Sequence, residues 1–129
     1  GHSASVQHAE FRRVASTAEL DAALAEARAN GQTAMLDFYA DWCIECKKME
    51  KNTFSNGEVI TALDDWMLLQ ADVTANDDED QELLKRFGVF GPPTIIFFGT
   101  DGQQRHGYEV VGFMKAQDFS DHVNQAFGS

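Results

Sequence analysis

The chain contains two cysteines, Cys43 and Cys46, and their spacing suits reversible disulfide chemistry. They follow an apolar segment and stand at the start of a predicted helix, where residues three positions apart share a face. Their sulfurs can therefore come close enough to form a disulfide. Because this bond closes a very short loop, it would restrict the unfolded chain little and stabilise the fold weakly. A bond of this kind is better suited to being made and broken than to holding a structure together, so the pair predicts a dithiol/disulfide redox site.

The two cysteines are expected to have different roles. Cys43 stands where the strand gives way to the helix. Its sulfur should therefore be exposed and close to unpaired backbone N–H groups, which favour the thiolate. Cys46 lies one turn further and should be more buried. We therefore predict that Cys43 attacks the disulfide of a partner protein and that Cys46 resolves the mixed disulfide.

Three other interpretations of the cysteine pair stay open: a zinc site, an inert structural disulfide and two unreactive buried thiols. A structural zinc site needs four ligands, usually from two such cysteine pairs or from added histidines. The histidines of this chain lie far from the pair in sequence, at His2, His8, His106 and His122. We therefore predict no metal and no other cofactor, and expect the cysteine pair to carry the electrons by itself.

Two carboxylates are predicted to tune the pair. Asp37 lies six residues before Cys43 inside an otherwise apolar strand, where burial would raise its pKa. It could then accept the proton of Cys46 during resolution; the alternative is a structural aspartate bonded to backbone. Glu50 follows Cys46 by four residues and should share its helix face, where a negative charge disfavours the thiolate and makes the pair a reductant. The alternative for Glu50 is a surface residue paired with Lys47.

The elements that must position these residues alternate between strand and helix patterns, in the order β-α-β-α-(α)-β-α-β-β-α. Strands are predicted at 34–40, 66–73, 94–98 and 108–113. Helices are predicted at 17–29 and 43–53, after a cap at Ser55 or Asn56, from the acidic residues 77–80 onward, and near the end of the chain. This order predicts an α/β fold with a central mixed sheet and helices on both faces. Residues 1–15 are interpreted as a tag, a linker and a possible first strand, and residues 16–129 as the domain.

Composition limits the function classes. The 129 residues, 43% of them hydrophobic, suffice for one domain. The net charge of −11 argues against nucleic acid or an anionic membrane as a partner and permits docking to a basic or neutral protein surface. No apolar run is long enough to span a membrane, and no signal peptide is visible. The start, Gly1-His2-Ser3, looks like an expression tag, so we expect the chain to be part of a longer protein.

The run from Asp37 to Lys47, together with Pro93-Thr94, resembles the thioredoxin family. In that family a W-C-x-x-C motif follows a main strand, a buried aspartate sits under the cysteines, and a cis-proline before threonine faces them. The resemblance implies a thioredoxin-like fold. It also implies that Cys43, Cys46, Asp37 and Pro93 occupy those positions.

A narrower resemblance is to the C-terminal periplasmic domains of the DsbD family of thiol:disulfide interchange proteins. It covers roughly residues 16–127 and rests on the stretches 40–43, 47–51, 53–55, 69–77, 93–95 and 112–114. Glu50 matches the acidic residue that follows the motif in these domains. The resemblance implies an electron relay in the periplasm, from the membrane-embedded domain of the same protein to its N-terminal periplasmic domain.

The resemblance also suggests which residues contact a partner: Trp42, Pro92, Pro93 and Phe113. Pro92 departs from the usual pattern, because the residue before the cis-proline can pair its backbone with a partner strand and a proline has no N–H to give. Other functions stay open: a general thioredoxin, a reductant for cytochrome c maturation, or a redox-inert binding module whose disulfide is structural.

Overall fold

The structure is a computed structural model, and it describes residues 9–127. Residues 1–8, with His2 and His8 and most of the predicted tag and linker, lie outside the described residues. The fold is the predicted α/β arrangement, a five-stranded mixed sheet with helices on both faces. Its strands are β1 (Arg12–Arg13), β2 (Ala34–Tyr39), β3 (Met67–Asp72), β4 (Thr94–Phe98) and β5 (Val110–Val111). Its helices are α1 (Thr17–Ala29), α2 (Ile44–Lys48), α3 (Gly57–Ala62), α4 (Asp78–Phe87) and α5 (Ala116–Phe127).

The strand that precedes the cysteines is the central one, since the sheet order is β1-β3-β2-β4-β5. β2 pairs in parallel with β3 and antiparallel with β4, which sets Asp37 between Gln70 and Ile95. All six residues of β2 are buried, as expected for a strand covered on both faces. Asp37 is therefore a carboxylate in the middle of the protein.

Two apolar clusters form the core around the sheet. One holds the buried sides of α1 and α4, and it also contains both cysteines. The other holds residues from α3 and α5, including Phe119 and Val123. Alternate residues of a strand point to opposite faces, so Asp37 shares the face of Met35, which packs in the second cluster.

Several helix ends match the predicted sequence signals. The Ser16 hydroxyl accepts from the Glu19 N–H at the start of α1, and Asn56 caps α3. Asp77 and Asp80 form a reciprocal capping box at α4, so the acidic run there serves the helix start. These caps account for the predicted boundaries of three helices.

Two predicted elements differ in detail. The predicted helix 43–53 is α-helical only as far as Lys48 and continues as a π-helical turn, Met49–Thr53. The predicted strand 108–113 is reduced to Val110–Val111, because Gly107 and Gly112 on either side have φ values of 92° and 85°. A left-handed backbone at these glycines ends the extended conformation.

Residues 9–15 run beside the sheet edge. The Val14 N–H donates to the Gln70 carbonyl at 3.0 Å, and the Phe11 ring lies 5.1 Å from that of Phe54. The segment that the sequence places in the linker and possible first strand thus contacts β3 and the second apolar cluster. Within residues 9–127, no helix has both the length and the apolar character needed to cross a bilayer.

Candidate redox site

Cys43 and Cys46 are joined by a disulfide, and their Cα atoms are 5.2 Å apart. After β2 the chain makes a tight turn in which the Cys43 N–H donates to the Ala40 carbonyl. Cys43 then caps α2, and its sulfur accepts a hydrogen bond from the Cys46 N–H at 3.2 Å. An N–H directed at the sulfur from a helix start favours negative charge there, which is the environment predicted for a nucleophilic thiolate.

The prediction that Cys43 is exposed is wrong. Cys43 is 7% exposed and Cys46 is 3% exposed, so only the predicted order of burial is seen. Both residues pack in the first apolar cluster, together with Phe38, Tyr39 and Ala40 from the end of β2 and the turn after it. The neighbours of Cys43 are much more exposed, with Trp42 at 60% and Ile44 at 75%. Cys43 is therefore a buried residue between two exposed apolar neighbours in the chain.

Asp37 is buried, as predicted, and only 4% of the residue is exposed. Burial raises the pKa of Asp37 to about 7, the nearby charge of Glu50 raises this pKa as well, and a hydrogen bond from Gln70 opposes the rise. The Gln70 amide donates to the Asp37 carboxyl at 3.2 Å. Asp37 is thus an acid that titrates near neutral pH and is held by a neutral side-chain partner.

Glu50 is exposed and lies in the π-helical turn. A π turn holds more residues per turn than an α-helix, so the α-helical spacing that placed Glu50 on the face of Cys46 ends at Lys48. The negative charge of Glu50 contributes to the raised pKa of Asp37, although burial is the larger cause. Glu50 also lines an open groove of about 520 Å³ together with Gln70.

The suggested alternative partner of Glu50, Lys47, has other contacts. Lys47 donates a hydrogen bond to the hydroxyl of Tyr39, which in turn donates to Asp41 at 2.9 Å. The Lys47 ammonium also lies 3.9 Å from the Asp41 carboxylate. Lys47, Tyr39 and Asp41 therefore form a small polar network at the start of the turn that precedes Cys43.

Thr74, which sequence reasoning did not select, contacts the motif from the turn after β3. Its hydroxyl accepts from the Asp41 N–H at 2.8 Å, and its carbonyl accepts from the Trp42 indole N–H at 3.2 Å. These residues are more than thirty positions apart in the chain. The only signal for Thr74 in the sequence is its place in the 69–77 stretch, which contributes to the family resemblance.

Glu45, between the two cysteines, is a second contact that sequence reasoning missed. Its carboxylate accepts a hydrogen bond from the Phe113 N–H at 3.2 Å. A side chain at Gly112 would place its Cβ 3.4 Å from the same carboxylate oxygen, and φ there is 85°. The cysteine helix is therefore tied to the segment that follows β5.

The predicted partner-contact residues lie on segments linked to the motif. The Pro92–Pro93 peptide bond is cis, and the Pro93 carbonyl accepts from the Gly112 N–H at 2.9 Å. Pro93 is buried and Pro92 is partly exposed, while Trp42 and Phe113 are exposed. Three further large apolar side chains, which sequence reasoning did not single out, are also exposed: Ile44, Phe90 and Val111. We call Trp42, Ile44, Phe90, Val111 and Phe113 the apolar rim.

The two described histidines lie outside the cysteine motif. The His122 ring nitrogen is 2.6 Å from the Tyr108 carbonyl, and His106 is an exposed residue between β4 and β5. Among residues 9–127, no group of three or more His, Cys, Asp or Glu side chains is arranged to hold a metal ion.

Comparison with known proteins places this geometry in a family. Residues 20–127 match the model of a thioredoxin-like domain. The chain is 50% identical over 119 residues to the thiol:disulfide interchange protein DsbD of Ralstonia nicotianae, covering 92% of this chain and 19% of that protein. It is 53% identical over 116 residues to DsbD of Klebsiella pneumoniae, covering 90% of this chain and 19% of that protein. The chain thus spans about a fifth of the length of these relatives.

A solved structure shows the same architecture. The oxidised C-terminal domain of Neisseria meningitidis DsbD superposes with a TM-score of 0.78 at 41% sequence identity. The match covers 92% of this chain and 100% of that domain. The likeness therefore extends over a whole domain and is not confined to the cysteine motif.

Proposed function

The chain belongs to the thioredoxin-like family, in the branch of the DsbD C-terminal domains, and on that premise we propose that it is a thiol–disulfide oxidoreductase acting as a reductant in an electron relay. The observation that carries the proposal is the Cys43–Cys46 disulfide at the start of α2, where the Cys46 N–H is directed at the Cys43 sulfur. This geometry suits a sulfur that alternates between a thiolate and a disulfide.

The reaction moves two electrons from the protein to its partner. In the reduced protein the Cys43 thiolate attacks one sulfur of a partner disulfide, the partner S–S bond breaks, and its second sulfur leaves as a thiolate that takes up a proton. Cys46 then loses its proton and attacks the Cys43 sulfur, which breaks the mixed disulfide and releases the second partner thiolate. The partner leaves as a dithiol, and this protein is left with the disulfide seen in the structure.

Asp37 is the proposed acceptor of the Cys46 proton. Its pKa of about 7 lets it be ionised often enough to accept a proton and protonated often enough to return one. Gln70 holds the carboxyl and also lines the groove that contains Glu50, so solvent reaches the amide next to the acid. Glu50 is proposed to act by keeping the Asp37 pKa high and by adding negative charge near the pair, which favours the reductant role.

The apolar rim is the proposed surface for protein partners. Trp42 and Ile44 flank Cys43, and Phe113 is tied to the motif through Glu45. Pro92 and Pro93 contribute the neighbouring turn. Because Pro92 has no N–H, a docked strand would gain apolar contact there in place of a backbone hydrogen bond.

The proposed partners are other domains of the same protein, since the DsbD relatives are about five times longer than this chain. Electrons would enter from a membrane-embedded domain and leave to an N-terminal periplasmic domain, so this domain would work in the periplasm. The cysteine pair is the proposed sole electron carrier. A general thioredoxin, or a reductant for cytochrome c maturation, would use the same chemistry with different partners.

The test has two steps. The reduced protein should reduce insulin disulfides, and Cys43→Ser should abolish this activity. Cys46→Ala should then accumulate a mixed disulfide with the N-terminal domain of a DsbD protein, with the Cys43→Ser/Cys46→Ala double variant as the control. The reduction potential should lie closer to the roughly −270 mV of thioredoxin than to the roughly −120 mV of DsbA. Failure of the wild-type protein to reduce insulin would favour a redox-inert binding module, whereas full activity of Cys43→Ser would show that Cys43 is not the nucleophile.

A further inference from the structure

Thr74 holds two successive residues of the motif turn from a distant part of the chain. Its hydroxyl oxygen accepts from the Asp41 N–H at 2.8 Å, and its carbonyl accepts from the Trp42 indole at 3.2 Å. Both hydrogen bonds end one or two residues before Cys43. A change at Thr74 therefore reaches the approach to the nucleophile without touching the cysteines.

Thr74 is itself fixed by the end of β3. Its N–H donates to the Asp72 carboxylate at 2.9 Å, and its hydroxyl donates to the same oxygen. The second Asp72 oxygen accepts from Arg13 at 2.9 Å. A hydroxyl has one proton to donate and lone pairs to accept with, and here both capacities are used. Valine has nearly the same shape as threonine but lacks the hydroxyl, so Thr74→Val removes the hydroxyl bonds with Asp41 and Asp72. The Thr74 carbonyl that accepts from the Trp42 indole is then held only through the backbone N–H bond to Asp72.

Trp42 needs such support because it is 60% exposed. An exposed side chain that is not held samples several rotamers, and a docking partner must then restrict that freedom at a free-energy cost. A tethered indole beside Cys43 already presents its apolar face. The lower free-energy cost of docking should favour a protein partner that covers Trp42. It should not affect a small disulfide that reaches only the Cys43 sulfur.

We propose that Thr74 is a positioning residue that fixes the Asp41–Trp42 turn and so pre-organises Trp42 for docking of protein disulfides at Cys43. The proposal rests on the thiol–disulfide exchange proposed above and adds a determinant of its selectivity for protein over small-molecule disulfides. Thr74 acts through its neighbours and does not take part in the exchange.

The test compares Thr74→Val with Thr74→Ser, which keeps the hydroxyl, on insulin and on the small aromatic disulfide DTNB. Thr74→Val should lower kcat/KM for insulin about 3- to 10-fold, the factor that corresponds to one hydrogen bond, mainly through KM. It should change the rate with DTNB less than about twofold. Thr74→Ser should restore the insulin value. In a Trp42→Ala background, Thr74→Val should lower kcat/KM for insulin little further, because there is no indole left for Thr74 to position.

Three results would overturn the proposal: wild-type kcat/KM for insulin in Thr74→Val, equal losses on both substrates, or failure of Thr74→Ser to restore the rate. If Thr74→Val does not fold, Thr74→Ala takes its place with the same expectations. A wild-type protein that cannot reduce insulin would instead overturn the proposed function, and the two failures are therefore distinguishable.

Discussion

Replacing Asp37 with asparagine should stabilise the protein above neutral pH. Burial raises the pKa of Asp37 from 3.8 to about 7. Each tenfold change in acidity corresponds to about 1.4 kcal/mol, so this difference amounts to roughly 4 kcal/mol at most. Because the pKa is higher in the folded than in the unfolded state, the folded protein binds the proton more tightly. The stabilising contribution is complete below about pH 4 and is lost as the pH rises through about 7.

The measurement is urea denaturation of oxidised wild-type protein and Asp37→Asn at intervals between pH 4 and pH 8.5. The asparagine variant carries no charge at position 37, so its free energy of unfolding should lack this decline. From pH 4 to pH 8.5, the free energy of unfolding of Asp37→Asn should therefore rise relative to that of the wild type by up to about 4 kcal/mol. Parallel curves for the two proteins would refute the reasoning from burial.

Asp72→Asn is the matched control, because Asp72 is also a carboxylate of the sheet. Burial acts to raise the pKa of Asp72, but hydrogen bonds from Thr74 and the charge of Arg13 outweigh it and the pKa is lowered. Its ionised form therefore stabilises the fold above the ordinary pKa of an aspartate, and this contribution is lost as the pH falls. Asp72→Asn should be less stable than the wild type at neutral pH. This difference in the free energy of unfolding should become smaller as the pH falls.

Three further substitutions test neighbouring contacts. Gln70→Leu should raise the pKa of Asp37 further, because the amide favours the ionised carboxyl; an NMR titration of the carboxyl carbon measures this. Glu50→Gln should lower the pKa of Asp37 in the same titration, and an unchanged value would show that the Glu50 charge does not reach it. Glu45→Ala should cost about 0.5–1.5 kcal/mol and speed hydrogen exchange at the Phe113 amide, whereas Glu45→Gln, which keeps an acceptor oxygen, should preserve most of the protection.

The order of the elements could be predicted because it depends on local patterns. The unbroken apolar run before the cysteines predicted a central strand, and its one charge, Asp37, stood out as a buried acid. Ser16 and Asn56 marked helix starts through capping preferences that act over a few residues. Such signals need no knowledge of the tertiary fold.

The missed features depend on contacts between distant segments. Glu45 meets the Phe113 amide across 68 positions, and Trp42 meets Thr74 across 32. The exposure of Cys43 was overestimated because its burial comes from packing of the folded turn, which no local pattern records. The change from α to π geometry at Met49 has no compositional signal either.

The π-helical turn continues the cysteine helix without a break from Lys48 to Thr53. Cys46 packs with the first apolar cluster, whereas Met49 and Phe54 pack with the second. In a regular α-helix each residue advances about 100° around the axis, so removing one residue between them would swing everything downstream by that angle. Either the sulfurs of Cys43 and Cys46 or the ring of Phe54 would then leave the core. This short segment should therefore tolerate substitutions far better than insertions or deletions.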